Sequence, residues 1–306
     1  MNIVVTGGSG FIGRVLVRSL LENGHNVTIL DRRHPDEVGV DFGSYAPQIV
    51  IGDIRDAIKV NEAISGQCEA IFHLAAVTSV LRSKLDPEET FQTNLAATHL
   101  LLEHARQVGC TKFIMASTNA VAGDVGERLI NEETLLRPLT PYGATKAAAE
   151  MLMSSYSTCY DLVCTSIRFT NVYGVGMREK DSFIPRLMRA AMDASEIVIN
   201  GDGLQVRDFL NVRDALQGLM LALNQDIAGP LTIGYGDSYS AIDLYNCVCQ
   251  ITKVDIPLRY GPEQGGEMRA VRVDIRRAKS LGYSPQLGLE EGLAETWLDF
   301  RKSAAI

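Results

Sequence analysis

Tyr142 and Lys146, four residues apart in TPYGATKAAAE, are residue types that can move a proton together. A phenol, with an ordinary pKa of about 10, removes a hydroxyl proton near neutral pH only if that value is pulled down. A lowering of about 3 units corresponds to roughly 4 kcal/mol of preferential phenolate stabilisation. An ammonium one helical turn away can supply part of it. The same pair also has a plainer use, in which the tyrosine packs and the lysine is solvated. A neighbouring hydroxyl donor favours chemistry, and Ser117 and Thr118 stand at the end of the apolar run KFIMAS.

Such a pair needs elements to hold it and a redox partner to act with. TGGSGFIG (Thr6–Gly13) lies between an apolar run, NIVVT, and an amphipathic stretch, FIGRVLVRSLLENG. It fits Gly-x-Gly-x-x-Gly as Gly8, Gly10 and Gly13, and Gly-x-x-Gly-x-x-Gly as Gly7, Gly10 and Gly13. Glycines permit a sharp turn and let a pyrophosphate approach the backbone at a helix N-terminus. A glycine pattern alone is weak; between a strand and a helix it has the context the chemistry requires. Asp31 ends the second apolar run, eighteen residues after Gly13. A carboxylate there accepts the adenosine ribose hydroxyls and repels a 2′-phosphate, which favours NAD over NADP. Arg32 and Arg33 pull the other way, since arginine can hold that phosphate. Asp53, in GDIRD, is placed either to meet the adenine amino group or to cap the following helix.

The apolar runs Asn2–Thr6, Asn26–Asp31, Gln48–Asp53, Ala70–Ala76, Lys112–Ser117 and Leu162–Phe169 predict buried strands. Phe11–Gly24, Asp56–Ser65, Glu88–Val108 and Tyr142–Tyr160 predict the helices between them. This alternation predicts an α/β fold with a doubly wound parallel sheet and right-handed crossovers. The rhythm becomes irregular after Phe169. The expected organisation is a dinucleotide-binding domain over residues 1–170, with segments near 205–235 returning to it, and a smaller C-terminal substrate-binding lobe over 171–306. A net charge of −8 in 306 residues argues against a nucleic-acid surface or a polybasic membrane patch. No window approaches a membrane span of roughly 20 apolar residues, and the N-terminus turns glycine-rich too soon for a signal peptide. The six scattered cysteines include no Cys-x-x-Cys pair, so no metal is expected, and Cys247 and Cys249 read as small hydrophobes. A cytoplasmic setting is the expectation.

TGGSGFIG, HLAA (His73–Ala76), ASTNAVAG (Ala116–Gly123), PYGATK (Pro141–Lys146), RFTNVYG (Arg168–Gly174) and GDGLQVRDF (Gly201–Phe209) occur in that order. Together they resemble the extended short-chain dehydrogenase/reductase family, the nucleotide-sugar epimerases and dehydratases, over nearly the whole chain. The resemblance implies a Rossmann fold, bound NAD, a homodimer built on a four-helix bundle, and a nucleotide-sugar substrate. It makes Tyr142 the base/acid, Lys146 its tuner and nicotinamide-ribose ligand, and Thr118 the hydroxyl donor. It sets Gly7, Gly10, Phe11, Ile12, Gly13, Asp31, Asp53, Ile54, Leu74, Ala75, Ala76, Asn94 and Ser117 around the cofactor with Tyr142 and Lys146. Asn171 falls where an asparagine grips the sugar-nucleotide diphosphate and Arg207 where an arginine neutralises it; Asn119 joins Thr118 at the sugar. Asn171 fixing a turn, and Arg207 pairing with Asp208, are the plainer alternatives.

The 4,6-dehydratases of this family carry an Asp-Glu pair after the serine or threonine, and its decarboxylases a glutamate at the second position. Here those positions are Asn119 and Ala120, which transfer no protons. The resemblance therefore points to the branch that epimerises UDP-sugars at C4, by transient oxidation. There are departures. Val-Tyr-Gly is replaced by Val121-Ala122-Gly123, and the second phosphate arginine falls on Gln264, with Arg269 or Arg272 as substitutes. Arg178 stands where a C6 carboxylate of a UDP-uronic acid is met, or is a loop charge beside Glu179 and Asp181. Two other classes stay open: a dehydrogenase or ketoreductase that releases NADH, and a non-catalytic dinucleotide sensor.

Overall fold

A computed structural model describes residues 1–263, 265 and 268–302, so Gln264 lies outside the described residues. In chain order the elements are β1 (Asn2–Thr6), α1 (Phe11–Glu22), β2 (Asn26–Asp31), β3 (Gln48–Ile51), α2 (Ala57–Ala63), β4 (Ala70–His73), α3 (Val80–Leu85), α4 (Pro87–Phe91), α5 (Ala97–Gln107), β5 (Lys112–Thr118), α6 (Pro141–Cys159) and β6 (Val163–Phe169). They continue with β7 (Asn171–Tyr173), α7 (Phe183–Asp193), β8 (Ile197–Asn200), β9 (Val206–Asn211), α8 (Val212–Asn224), β10 (Gly229–Ile233), β11 (Ser238–Ser240), α9 (Ala241–Thr252), β12 (Leu258–Gly261), α10 (Arg276–Ser280) and α11 (Leu289–Lys302). Two compact units result. The first comprises residues 1–123, 132–168 and 218–232; the second comprises 124–131, 169–217 and 233–306. Of the stretch 205–235, residues 218–232 belong to the first unit and 205–217 and 233–235 to the second.

The first unit holds a seven-stranded sheet in the order β10-β6-β5-β4-β1-β2-β3. The pairs from β3 through β2, β1 and β4 to β5 are parallel, with Thr6 opposite His73 and His73 opposite Met115. Strand order reverses between β1 and β4, and ligands bind at the carboxyl ends of strands at such a switch point. Alternate residues of these strands face opposite sides. Val4, Leu30, Val50, Ile71, Phe113 and Met115 cluster with Val60 of α2, Leu101 and Leu102 of α5, and Ala149 and Met153 of α6. The remaining strand residues, among them Val5, Ile29 and Phe72, are also buried, as are Leu16, Val17 and Leu20 of α1. Both faces of the sheet are therefore covered, which is why its strands read as unbroken apolar runs.

The single helix expected over Glu88–Val108 is corrected. α4 ends at Phe91, a π turn spans Gln92–Ala96, and α5 runs on from Ala97. The wide turn carries Asn94, which is fully buried.

The second unit contains a three-stranded sheet, β11-β9-β7, and a two-stranded parallel one, β12-β8. α7, α9 and α11 pack on one another. Among the described residues no helix is long and apolar enough to cross a membrane, and no cluster of three or more His, Cys, Asp or Glu could hold a metal. All six cysteines are free, with Cys247 and Cys249 half-buried.

Candidate active site

β1 delivers the chain into the glycine loop. Gly7 has φ +74°, a left-handed conformation that favours glycine, and a Cβ there would lie 2.7 Å from the Ala75 nitrogen. A Cβ on Gly13 would lie 2.1 Å from the Gly7 carbonyl. Gly7, Gly10 and Gly13 thus form the working pattern, and Gly8 packs towards Ile29 instead. α1 has no side-chain cap at Gly10, and its first intrahelical bond runs from the Arg14 N–H. The N–H groups of Phe11, Ile12 and Gly13 are left facing out of the helix start, a ready anion cradle.

Asp31 ends β2 with its carboxylate held by two backbone groups: Ser9 N–H on one oxygen at 3.0 Å and Arg33 N–H on the other at 3.1 Å. Each oxygen keeps acceptor capacity for a ribose hydroxyl. Asp53 is not a helix cap; Asp56 fills that role for α2. The Arg55 backbone N–H and Nε reach one oxygen of Asp53, both at 2.9 Å, and its Nη2 reaches the other at 2.6 Å. That guanidinium holds the carboxyl of Asp53 below its usual range. One further lone pair stays open for an amino donor.

β4 ends at His73, and Leu74–Val77 follow as a loop pinned at both ends. The Leu74 N–H donates to the Thr6 carbonyl and the Ala75 N–H to the Thr6 hydroxyl. Asn94, from the π turn, accepts the Val77 N–H at 2.8 Å and donates to the Val77 carbonyl at 2.9 Å. The fully buried His73 bonds Thr6 through Nδ1 and Thr98 through Nε2. Because the Thr98 hydroxyl donates to the Asn94 carbonyl, it accepts from Nε2–H, so His73 is the neutral Nε2 tautomer. Burial holds its pKa well below the ordinary value. Asn94 therefore acts as a clamp on the Leu74–Val77 backbone.

The proton-transfer residues assemble where β5 ends against α6. Thr140 caps α6 by accepting the Gly143 N–H, and Pro141 starts the helix. A Cβ on Gly143 would lie 2.7 Å from the Ala120 carbonyl, so glycine lets the first turn close on the chain after β5. This brings the Tyr142 phenol close to the Thr118 hydroxyl. Thr118 is oriented by accepting the Ala120 N–H at 3.2 Å. Lys146 is buried, and its Nζ donates to the Ala116 carbonyl at 2.8 Å. Of the two hydroxyls ending KFIMAST, Thr118 meets the tyrosine, while Ser117, one residue earlier, donates to Glu150 two turns further along α6.

Burial pushes the Tyr142 phenol up, and the neighbouring Thr118 hydroxyl works against that shift. Lys146 itself is drawn down to about 8 by burial, with Glu150 working against that shift.

In the second unit, Asn171 of β7 donates to the Asp208 carbonyl of β9 at 3.0 Å. Arg207 does not pair with Asp208, as the plainer alternative had it. The Asp208 side chain is buried and accepts from Thr170, Tyr235 N–H and Gly236 N–H. Arg207 lies directly across from Tyr239 of β11, with Nη1 on the Val206 carbonyl. Arg178 pairs with Asp299 of α11 rather than with Glu179 or Asp181, and Asp299 also takes the Gly176 N–H. Arg272 pairs with Glu127 and lines a cavity of about 310 Å³ with Leu129, Asp237 and Tyr239. Arg269 pairs with Asp202.

A model of the NAD dependent epimerase/dehydratase family matches residues 3–234. The chain belongs to this family. A dTDP-glucose 4,6-dehydratase of Streptomyces griseus is 32% identical, over 96% of this chain and 92% of its own. A UDP-glucose 4-epimerase of Mycolicibacterium smegmatis is 32% identical, over 99% and 100%. Among solved structures, MoeE5 in complex with UDP-glucuronic acid and NAD is 34% identical, covers 99% of this chain and 100% of its own, and superimposes with a TM-score of 0.92. NAD is the cofactor of this enzyme family, and the loop, Asp31 and the Leu74–Val77 segment fit it. Sequence reasoning missed Glu150 and Arg168, a buried ion pair beneath Lys146.

Proposed function

We propose that the chain is an NAD-dependent epimerase of a UDP-linked hexose, interconverting UDP-glucose and UDP-galactose at C4. The carrying observation is the Thr118–Tyr142–Lys146 assembly followed at once by Asn119 and Ala120, whose amide and methyl transfer no protons. Elimination or decarboxylation would need acid–base groups there; epimerisation needs one reversible proton site. In this reading Tyr142, as phenolate, takes the C4 hydroxyl proton, with Thr118 hydrogen-bonded to the same oxygen. Bound NAD supplies acceptance and return of the hydride at that carbon. The keto-sugar turns over, and Tyr142 returns the proton to the new C4 oxygen. No redox equivalent is consumed. Lys146 holds the nicotinamide ribose and balances the phenolate charge. Gly7, Gly10, Phe11, Ile12 and Gly13 hold the pyrophosphate, Asp31 the ribose diol, and Asp53 and Ile54 the adenine. Leu74, Ala75, Ala76 and the Ser117 backbone line the cofactor, and Asn94 supports them. Asn171 and Arg207 take the diphosphate, with Arg272 as the second cation and Asn119 beside the sugar. The helices Pro87–Gln107 and Pro141–Cys159 form the homodimer contact; Phe91 and Met151 on them are exposed.

UDP-glucuronate is the second reading, supported by the likeness to MoeE5, which was solved with UDP-glucuronic acid. It requires Arg178 to leave Asp299 for a C6 carboxylate. The test is incubation of the purified protein with NAD and each of UDP-glucose, UDP-galactose, UDP-glucuronate and UDP-galacturonate, following absorbance at 340 nm and separating the sugars. Interconversion of UDP-glucose and UDP-galactose without accumulating NADH supports the first reading. Interconversion of the uronates selects the second. Stoichiometric NADH makes the chain a dehydrogenase, and no turnover of any sugar sinks both readings.

A further inference from the structure

Tyr142, Lys146 and Glu150 recur every four residues along α6 and share one face. That face meets three consecutive residues at the end of β5, one contact each. Lys146 Nζ donates to the Ala116 carbonyl, the Ser117 hydroxyl donates to Glu150, and the Thr118 hydroxyl lies beside Tyr142. The Glu150 rung is hydrogen-bonded on to further strands. Arg168 of β6 grips its carboxylate through Nε at 3.2 and 3.1 Å and through Nη2 at 2.7 Å. Both side chains are buried. Arg168 Nη1 donates in turn to the Glu132 carbonyl, and the Glu132 carboxylate accepts the Thr232 N–H of β10.

We propose that Glu150 is a positioning residue for the Tyr142/Lys146 pair: anchored by Arg168 and Ser117, it fixes α6 in register on β5 and keeps the Lys146 ammonium on the Ala116 carbonyl. The inference rests on the acid–base reading of Tyr142. A slip of α6 by one residue is about 1.5 Å, enough to take the phenol out of reach of Thr118. Lys146 shares its helix face with Tyr142 and Glu150, bonds the Ala116 carbonyl of β5 and stands near the neutral His73 of β4. Glu150 is the anion that opposes loss of the Lys146 proton.

The test is Glu150→Gln, which keeps the shape and can still accept from Ser117. Lys146 is titrated by NMR in ε-¹³C-lysine-labelled protein, its resonance assigned by its loss in Lys146→Arg. The expected result is titration at lower pH in Glu150→Gln than in wild type. In turnover, kcat should fall about 10- to 100-fold, KM should stay within about 3-fold, and the alkaline limb of the kcat profile should move to lower pH. A merely structural role would lower Tm and leave both pH profiles in place. A folded Glu150→Gln with wild-type lysine titration and wild-type kcat overturns the proposal. If that variant does not fold, Ser117→Ala decides: reduced kcat at unchanged KM supports the positioning role, and wild-type kcat overturns it. The lysine titration needs no substrate. A shift there in a protein that epimerises no sugar would therefore sink the functional reading and leave the positioning intact.

Discussion

Tyr142 is held in two opposing ways: burial raises its pKa and Thr118 lowers it. Tyr142→Phe keeps the packing and removes the proton site. Turnover should fall about 10²- to 10⁴-fold, while NAD binding, measured by protein-fluorescence quenching, stays near wild type. Full activity in that variant would remove Tyr142 from the mechanism. Thr118→Val should cost less, because the phenol remains; a kcat below that of Tyr142→Phe would reverse the two roles. His73 gives a pH effect with a definite sign. Its folded pKa is depressed by burial, so below about pH 6.5 the unfolded chain takes up a proton that the native state refuses. Its contribution is complete above that pH and shrinks as pH falls, with a limiting slope of about 1.4 kcal/mol per pH unit. Urea midpoints between pH 7.5 and 5 should fall more steeply for wild type than for His73→Gln. Equal slopes would show that other groups carry the acid sensitivity.

The π turn between α4 and α5 shows where sequence pattern gives out. Glu88–Val108 keeps a helical rhythm, and one residue inserted in a wide turn leaves too small a trace in the spacing to be read. Its purpose is visible only in three dimensions, where Asn94 meets both backbone groups of Val77. Asn94→Ala should destabilise by about 1–3 kcal/mol, since it leaves the Val77 N–H and carbonyl buried and unpaired. It should also weaken NAD binding, because the Leu74–Val77 loop loses its far anchor. Calorimetric melting and cofactor titration check the two parts, and an unchanged affinity would confine Asn94 to stability. The glycine loop, the strands to Phe169 and the Tyr142/Lys146 helix were legible because each depends on local chemistry: φ at Gly7, apolar runs, and i to i+4 spacing. Glu150 was not read, although it completes the same series at i+8. Its partner Arg168 is on another element, and no local spacing announces an ion pair across α6 and β6. Ser117 and Thr118 were equivalent by composition; only the register of α6 on β5 separates them.

For the molecule as a whole, the doubly wound sheet followed from the alternation of elements, and a return of the chain to it near 205–235 was expected, whereas the exact stretches were not legible. The family match spans 3–234, yet the first unit is assembled from three stretches and completes its sheet with β10, far from β6 in sequence. The expected return near 205–235 contains β10, but a short apolar run does not say which strand it will border. If the reaction is redox-neutral, one bound NAD per subunit should support many turnovers with no net change at 340 nm. A steady rise would show that each cycle releases reduced cofactor. The late arrival of β10 also bears on how the protein is made. A ribosome has already synthesised residues 124–131 and 169–217 of the second unit before the strand that borders β6 emerges. Until then β6, an apolar strand, offers an open edge to any other extended chain. A fragment cut at residue 170, the boundary the sequence suggests, should therefore aggregate during expression, while one carried through residue 234 regains its missing neighbour.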